Sequence, residues 1–429
     1  MKNIRYYVFW FIDKIKKDRI KKEYDEICSV QSRASCAKWQ KEKIDRLLKK
    51  ATENCKFYKD YGKYSEISQC PVIDKSVIKD NYDSFISKKY DRNSLHKMST
   101  SGSTGTPFEI LQNPKKRHRV MAELIYFNEI IGQNLGDKFI FYRVWTDKNK
   151  KSFLGKLKQN LMPIDILHLD ENNLKYITDI LLKDKKLKST LGYASTYDAI
   201  YKYLKMYNIS GNFSVKAMVS SSEVLSDETR DGLEKIIGCR VIDRYSNQEC
   251  GVIAQSTMTE REFIINGASY YVEILKLNSD EPAEVGEVGR IVVTDLFNYA
   301  MPLIRYDTGD LATVHTKTED GIYSLSSIQG RRVDIIYDTK GNPLTPHTWS
   351  VYMWKYDKLK QYQFIQEGKN DYLLKVNGAK GIYSEAEFDE TLRSILGEDA
   401  NIKIEYVDQL PVLASGKFKK TVCNYKPQN

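Results

Sequence analysis

The 429-residue chain lacks the signatures of several common chemistries. Its cysteines, Cys28, Cys36, Cys55, Cys70, Cys239, Cys250 and Cys423, are odd in number, scattered and never spaced CxxC. That pattern excludes a zinc ribbon and reads as reduced, intracellular thiols. Five histidines without an HExxH spacing argue against a zincin-type hydrolase. Gly 23 and Pro 10 are too few for a collagen-like or Pro-rich chain. The net charge is +10, but no run of five or six Lys/Arg residues occurs, so no nucleic-acid partner is expected. The apolar and aromatic run Tyr6–Ile12 is far shorter than the ~20 residues of a membrane-spanning helix. No small-residue cleavage site follows that run.

What is present is globular: 41% hydrophobic and 29% charged residues, in a chain long enough for two or three domains. The 30 tyrosines read mostly as core residues. At the N-terminus Ile4, Val8, Phe11, Ile12 and Ile15 fall at helical spacing, and Lys14, Lys16, Lys17, Arg19, Lys21 and Lys22 follow. Two readings fit this segment: a helix lying on an anionic membrane surface, or one docked on the protein's own body.

The rest of the chain changes texture twice. Periodicity predicts a helix over 42–55, then alternation: strand-like 139–144, helical 174–182 and 195–204, strand-like 215–219, helical 227–237 and strand-like 240–243. Short strands follow at 271–275, 290–296 and 322–325. A last segment carries its own signals at 372–376, 385–396 and 402–407. The expected fold class is α/β, with a β-rich subdomain and a small α+β C-terminal domain. The expected boundaries are an amphipathic segment 1–40, a large domain 41–330 and a small lid domain 331–429.

Five local patterns carry chemistry. Thr100-Ser101-Gly102-Ser103-Thr104-Gly105-Thr106-Pro107 alternates glycines with hydroxyls and exposes backbone N–H groups, as a phosphate-binding loop must. It is not a Walker A loop, because no Gly-Lys-Ser/Thr follows. Tyr245-Ser246-Asn247-Gln248-Glu249-Cys250-Gly251 follows a strand, where ligands of open α/β sheets sit; its Tyr could stack on a base and its Glu could bind Mg²⁺. Arg305–Asp310 places Asp310 after a Thr-Gly pair, read as a tight turn, with a carboxylate able to accept both hydroxyls of a ribose. Gly330-Arg331-Arg332-Val333-Asp334 offers guanidinium groups for phosphate or ribose. Pro411–Lys420 carries Lys417 on a Gly-containing loop. Each pattern alone also reads as an ordinary turn, linker or basic tail.

Taken in this order, the patterns resemble the adenylate-forming superfamily of acyl-CoA synthetases, luciferases and peptide-synthetase adenylation domains. Within it, the chain is similar to phenylacetate–CoA ligases and to capsular-polysaccharide proteins of CapK type. Pro71–Lys75, Gly192–Ser195, Ser222–Leu225 and Pro302–Tyr306 resemble further landmarks of that group. The resemblance implies an AMP-forming ligase that uses ATP and Mg²⁺ to adenylate a carboxylic acid. The acyl group then passes to an amine or thiol acceptor: a sugar, an amino acid or CoA. Ser101, Gly102, Ser103, Thr104, Gly105 and Thr106 would wrap the β- and γ-phosphates, with Thr100 at the loop's start. Tyr245 would lie on the adenine opposite Ser222 and Glu223, with Ser246 beside it. Glu249 would hold Mg²⁺, Asp310 and Arg331 the ribose, and Lys417 would bridge the α-phosphate and the acid. Arg143, Trp145, Tyr193 and Ser195 are candidates for the acid pocket. Three positions depart from the pattern: the loop has no Lys after Pro107, Ser246 replaces a Gly, and Val333 stands where a hinge Asp is usual. The implied setting is cytoplasmic, in envelope-polysaccharide synthesis, with a peripheral position on the inner membrane face as its extension.

Overall fold

The computed structural model describes all residues except 1, 32–35, 61–63, 65, 101–107, 144, 146–151, 167–168, 319–320, 332–335, 342, 345–351, 354, 357, 360, 379, 411–419 and 426–429. The candidate phosphate-binding residues Ser101–Thr106, and Lys417, lie outside the described residues, as do Arg332 to Asp334.

The N-terminal part is helical: α1 (Ile4–Ile15), α2 (Arg19–Gln31), α3 (Ala37–Asn54), then the short α4 (Lys56–Asp60), α5 (Lys75–Asp80) and α6 (Tyr82–Phe85). Asp13, buried near the end of α1, accepts hydrogen bonds from the backbone N–H groups of Ile20 and Lys21. Its charge thus caps the amino end of α2, and the two helices form a tight pair. The apolar stripe of α3 (Ile44, Leu47, Leu48, Ala51) is buried, as its 3.6-residue period requires.

A hairpin of β1 (His96–Thr100) and β2 (Phe108–Gln112) comes next, with Thr100 opposite Phe108. Asn113 and Pro114 then start α7 (Pro114–Glu129); the Asn113 side chain accepts the Lys116 N–H, and Pro at the first turn has no N–H to waste.

Strands and helices now alternate: β3 (Lys138–Arg143), α8 (Phe153–Gln159), β4 (Leu161–Asp165), α9 (Glu171–Lys183), β5 (Leu187–Tyr193), α10 (Ala194–Met206), β6 (Ala217–Ser221), α11 (Asp227–Ile237) and β7 (Arg240–Ser246). The α11 boundaries follow the sequence signals: Ser226 accepts from Thr229 N–H, and Gly238 ends the helix at φ +73°. Then come β8 (Val252–Gln255), β9 (Phe263–Ile265), β10 (Tyr270–Leu275), β11 (Val288–Asp295), β12 (Tyr306–Thr318) and β13 (Gly321–Arg331).

Eleven strands form one sheet in the order β10-β11-β12-β13-β9-β8-β7-β6-β5-β3-β4. The run β7, β6, β5, β3, β4 is parallel throughout. The pairs β7–β8, β8–β9, β9–β13 and β10–β11 are antiparallel. The parallel half therefore presents its carboxyl ends at one edge: Arg143, Asp165, Tyr193, Ser221 and Ser246. In open α/β sheets that edge is where ligands bind.

The chain divides into two compact units, 1–308 with 312–328, and 309–311 with 329–429. The second holds β14 (Ile336–Tyr337), β15 (Pro343–Leu344), β16 (Gln361–Gln366), β17 (Asp371–Asn377), α12 (Glu385–Leu396), β18 (Asn401–Tyr406) and β19 (Thr421–Cys423). A mixed sheet in the order β18-β17-β16-β19 forms its centre. The helix α12 opens with a capping box of Ser384 and Glu387 and buries Phe388, Leu392 and Leu396 with Phe364, Leu374 and Val376.

Several sequence expectations are corrected in detail. Tyr245 and Ser246 lie on β7 itself rather than in the loop beyond it. The Thr308-Gly309-Asp310 stretch is no turn: it runs within β12, with Gly309 alone at φ +80°. Arg331 ends β13 rather than standing in a charged linker. The helix expected at 195 begins at Ala194, and Tyr193 at its cap position makes no side-chain capping bond. No helix among the described residues is long and apolar enough to cross a membrane.

Candidate active site

Glu249 is the centre of the site. It sits after β7 in a tight segment where Asn247 Oδ1 accepts the Cys250 N–H at 2.8 Å and Asn247 N–H reaches the Gly251 carbonyl at 3.2 Å. Gly251 is required here: at φ +144° a Cβ would run into the Glu123 carboxylate and the Tyr270 hydroxyl. Glu249 is only 2% exposed. Its backbone carbonyl accepts from Gln112 Nε2 at 2.9 Å, which ties it to β2, the strand after the Gly/Ser/Thr loop.

No local pattern in the chain signals what surrounds this carboxylate. Oε1 of Glu249 lies 2.9 Å from the Lys75 ammonium and accepts from the Tyr306 hydroxyl at 3.2 Å. The Tyr306 ring stacks on Phe108 at 6.4 Å between centroids, and the Lys75 ammonium is 5.5 Å from the Phe108 centroid. Burial, reinforced by the Glu249 charge, pushes the Tyr306 phenol well above its ordinary range, so it stays a hydrogen-bond donor. Phe108 follows the Gly/Ser/Thr loop directly in the chain, so the strand after that loop meets Lys75, Tyr306 and Glu249 at one point. Lys75 and Tyr306 both belong to landmark motifs, but their distance along the chain hid the pairing. Cys250, beside Glu249, is fully buried and its thiol is held well above its usual range by burial. It is therefore no nucleophile.

Tyr245 donates a hydrogen bond to Thr308 Oγ1 at 3.1 Å, and Thr308 Oγ1 donates to the Ile291 carbonyl at 3.0 Å. The ring's edge is thereby fixed, leaving its faces to pack or stack. Ser222 leaves β6 in a left-handed conformation, φ +74°. A non-glycine residue there is strained, as at many binding loops. Glu223 Oε2 accepts the Ser195 N–H at 2.8 Å and so supplies the cap that Tyr193 does not give α10. Ser195 thus contributes its backbone to a helix end.

At the same edge Tyr193 pairs in register with Ser221. Burial raises the Tyr193 phenol, the Glu223 charge adds to this, and Arg143 opposes it. These three candidates therefore share one electrostatic neighbourhood. Gly192 lets β5 lie against Tyr142, whose Cβ would be 3.0 Å from a methyl group at that position. Trp145 donates through its indole to the Ile164 carbonyl at 3.2 Å, with its ring edge-on to Phe141 at 5.6 Å.

Thr100 ends β1 at the entrance of the loop. Asp310 and Arg331 are placed on β12 and β13 and belong, by chain division, to the second unit. Arg305 is a structural pin: it pairs with Glu273 at 3.1 Å and donates to the Cys70 carbonyl at 3.0 Å. Among the described residues no group of three or more His, Cys, Asp or Glu side chains converges. A hard cation shared with nucleotide phosphates needs only one or two protein carboxylates, a demand Glu249 fits.

Comparison with known proteins agrees with the motifs. Residues 336–424 match the CapK C-terminal domain family. The chain is similar to protein CapK of Staphylococcus aureus, 26% identical over 96% of this chain and 94% of that protein. It is also similar to a phenylacetate-coenzyme A ligase of Pseudomonas putida, 28% identical over 28% of each chain. In structure it resembles a 2-hydroxyisobutyryl-CoA ligase in its postadenylation state, with a TM-score of 0.69 at 14% identity over 90% of this chain and 89% of that one. An amide bond synthetase from Marinactinospora thermotolerans gives a TM-score of 0.54 at 14% identity, over 76% of this chain and 67% of that one. The α/β fold expected from the motifs, a large multistranded sheet with a small C-terminal domain, is the fold of these adenylate-forming ligases.

Proposed function

We propose that the chain is an AMP-forming ligase that adenylates a carboxylic acid and transfers the acyl group to an amine or thiol. The observation that carries this reading is the meeting of the exit strand from the Gly/Ser/Thr loop with the buried Glu249, Lys75 and Tyr306. Glu249 follows β7 of a sheet whose parallel strands end at Tyr193, Ser221 and Ser246.

A free carboxylate is a poor acyl donor, because its charge repels nucleophiles and oxide is its leaving group. In the proposed first step a carboxylate oxygen attacks the α-phosphorus of ATP, the bond to the β-phosphate bridging oxygen breaks, and pyrophosphate leaves. In the second, an amine or thiol attacks the acyl carbon, the bond to AMP breaks, and the nucleophile's proton passes to solvent. Such chemistry is catalysed mainly by positioning and by neutralising charge. Backbone N–H groups of 101–106 would hold the outer phosphates. Mg²⁺ bound at Glu249 would neutralise phosphate charge. Tyr245 would pack on the base, with its edge held by Thr308. Asp310, Arg331 and Lys417 keep the ribose and α-phosphate roles that the resemblance gives them. Arg143 and Tyr193 are the proposed acid-pocket residues.

Similarity to protein CapK over nearly the whole chain supports a role in cell-envelope polysaccharide synthesis, with a sugar or amino acid as amine acceptor. The match to phenylacetate-coenzyme A ligases covers a smaller part and supports CoA as the alternative acceptor. ATP–pyrophosphate exchange with pools of sugar acids, amino acids and aryl acids tests the reading. Acid-dependent exchange is expected; bound ATP without exchange for any pool would leave only a nucleotide-binding scaffold.

A further inference from the structure

We propose that α1 and α8 together form a surface that docks on an anionic phospholipid membrane. On α1 the apolar residues Ile4, Tyr7, Val8, Phe11 and Ile15 share one face. That face points to solvent: Ile4 is 72% exposed, Phe11 65% and Ile15 69%. The helix is held by its other side. Asn3 Nδ2 donates to Asp137 Oδ1 at 3.0 Å and to the Leu135 carbonyl at 3.3 Å, Trp10 packs on Tyr24 at 5.5 Å, and Asp13 caps α2. The segment is thus docked on the body, as one of its two sequence readings has it, but with its apolar face outward. A surface helix ordinarily does the reverse.

The second helix extends the patch. Arg5 Nε donates to the Leu157 carbonyl at 3.1 Å, which joins α1 to α8. On α8, Phe153 is 78% exposed, Leu154 73% and Leu157 54%. Two neighbouring helices therefore present eight large apolar side chains to solvent, more than a soluble surface leaves without cause.

Charge selects the occupant. Lys14, Lys16, Lys17 and Lys22 are exposed at the end of α1 and the start of α2, and Lys158 is exposed on α8. The one acidic residue of α1, Asp13, is buried, and α8 has none. An apolar stripe with a basic rim is what an anionic lipid interface binds. A second copy would bring two basic rims together, which opposes self-association through this face.

The test is co-sedimentation of the full-length protein with phosphatidylcholine vesicles, with and without a one-third share of phosphatidylglycerol. Binding to the anionic vesicles is expected, weaker in high salt and at least about tenfold weaker in Phe11→Ser/Phe153→Ser. The variant's thermal unfolding should match wild type, because both side chains lie in solvent. Lys14→Gln/Lys16→Gln/Lys158→Gln should lose the preference for anionic lipid. No wild-type binding to anionic vesicles, or equal binding by the serine variant, overturns the proposal. So does a solution dimer that Phe11→Ser dissociates, since a second copy would then own the face.

Discussion

The Lys75 ammonium lies 2.9 Å from Oε1 of Glu249, a carboxylate otherwise sealed from solvent. A buried carboxylate needs a countercharge. Lys75 provides it from a partly exposed position. Lys75→Met removes the cation and leaves Glu249 uncompensated. A loss of about 1–3 kcal/mol is expected, below the fully buried case because Lys75 reaches solvent. Added Mg²⁺ should then raise the melting temperature of the variant more than that of wild type, since the vacated carboxylate can take a cation. Equal Mg²⁺ effects on both proteins would separate Lys75 from the proposed cation site.

Glu249→Gln keeps the shape and the Tyr306 hydrogen bond but removes the charge. Its fold should persist, because the backbone bond from Gln112 is untouched. Adenylation should fall by about 10²–10³, the cost of losing one group that stabilises developing charge. Unchanged exchange activity with unchanged metal dependence would remove Glu249 from the reaction.

Much of this was legible in the chain. The helix at 227–237 followed from Ser226 and Gly238, because cap residues act locally. The parallel strands followed from alternating textures between residues 139 and 243. The partners of Glu249 were not legible, since Lys75, Phe108 and Tyr306 come together only when four separate segments fold. The Thr308-Gly309-Asp310 stretch misled for a different reason: Thr-Gly-Asp is good turn chemistry, but here strand pairing overrode the local preference and confined the left-handed backbone to Gly309. The outward apolar face of α1 was also hidden, because periodicity finds a face without saying which way it points.

Glu223 caps α10 through the Ser195 N–H. Glu223→Ala should cost about 1 kcal/mol in stability, the typical price of a lost helix cap. It should also weaken ATP binding if the Ser222–Glu223 backbone borders the adenine, because the strained Ser222 loses its neighbour's anchor. Urea unfolding and nucleotide titration measure the two effects separately. A variant as stable as wild type would show the cap to be supplied by water.

Arg119 is a stability prediction away from the site. It is fully buried on α7, pairs with Glu23 at 3.1 Å and Glu26 at 2.7 Å, donates to Ser269 at 2.9 Å and lies 3.9 Å from the Phe297 ring centroid. Arg119→Ala leaves the nearly buried Glu23 with only the exposed Lys115 at 3.3 Å and strands several acceptors, and a loss of about 3–5 kcal/mol is expected. Burial alone would raise the Glu26 carboxyl, but Lys43 and Arg119 outweigh it and hold it below its usual range. A lowered carboxyl adds stability above its unfolded value and loses it as pH falls through the folded one. Wild-type stability should therefore drop below about pH 4.5, and the Arg119→Ala curve should be flatter there. Parallel curves for the two proteins would show that this cluster does not set the acid limb.

Lys417 separates the two proposed half-reactions. A tail lysine without a catalytic task tolerates Ala within about 0.5 kcal/mol of stability and leaves rates alone. One that neutralises charge on the α-phosphate should cost about 10²–10³ in adenylate formation, by analogy with loss of a single oxyanion donor. Acyl transfer from a supplied acyl adenylate breaks the bond to AMP after the phosphoryl step is over. That second step should keep most of its rate in Lys417→Ala. Pyrophosphate exchange reports the first step, and single-turnover consumption of synthetic acyl adenylate by an amine or thiol reports the second. Equal loss in both would mean that Lys417 serves the acyl–AMP complex throughout. No loss in either would place Lys417 outside the site and leave charge neutralisation to the cation proposed at Glu249.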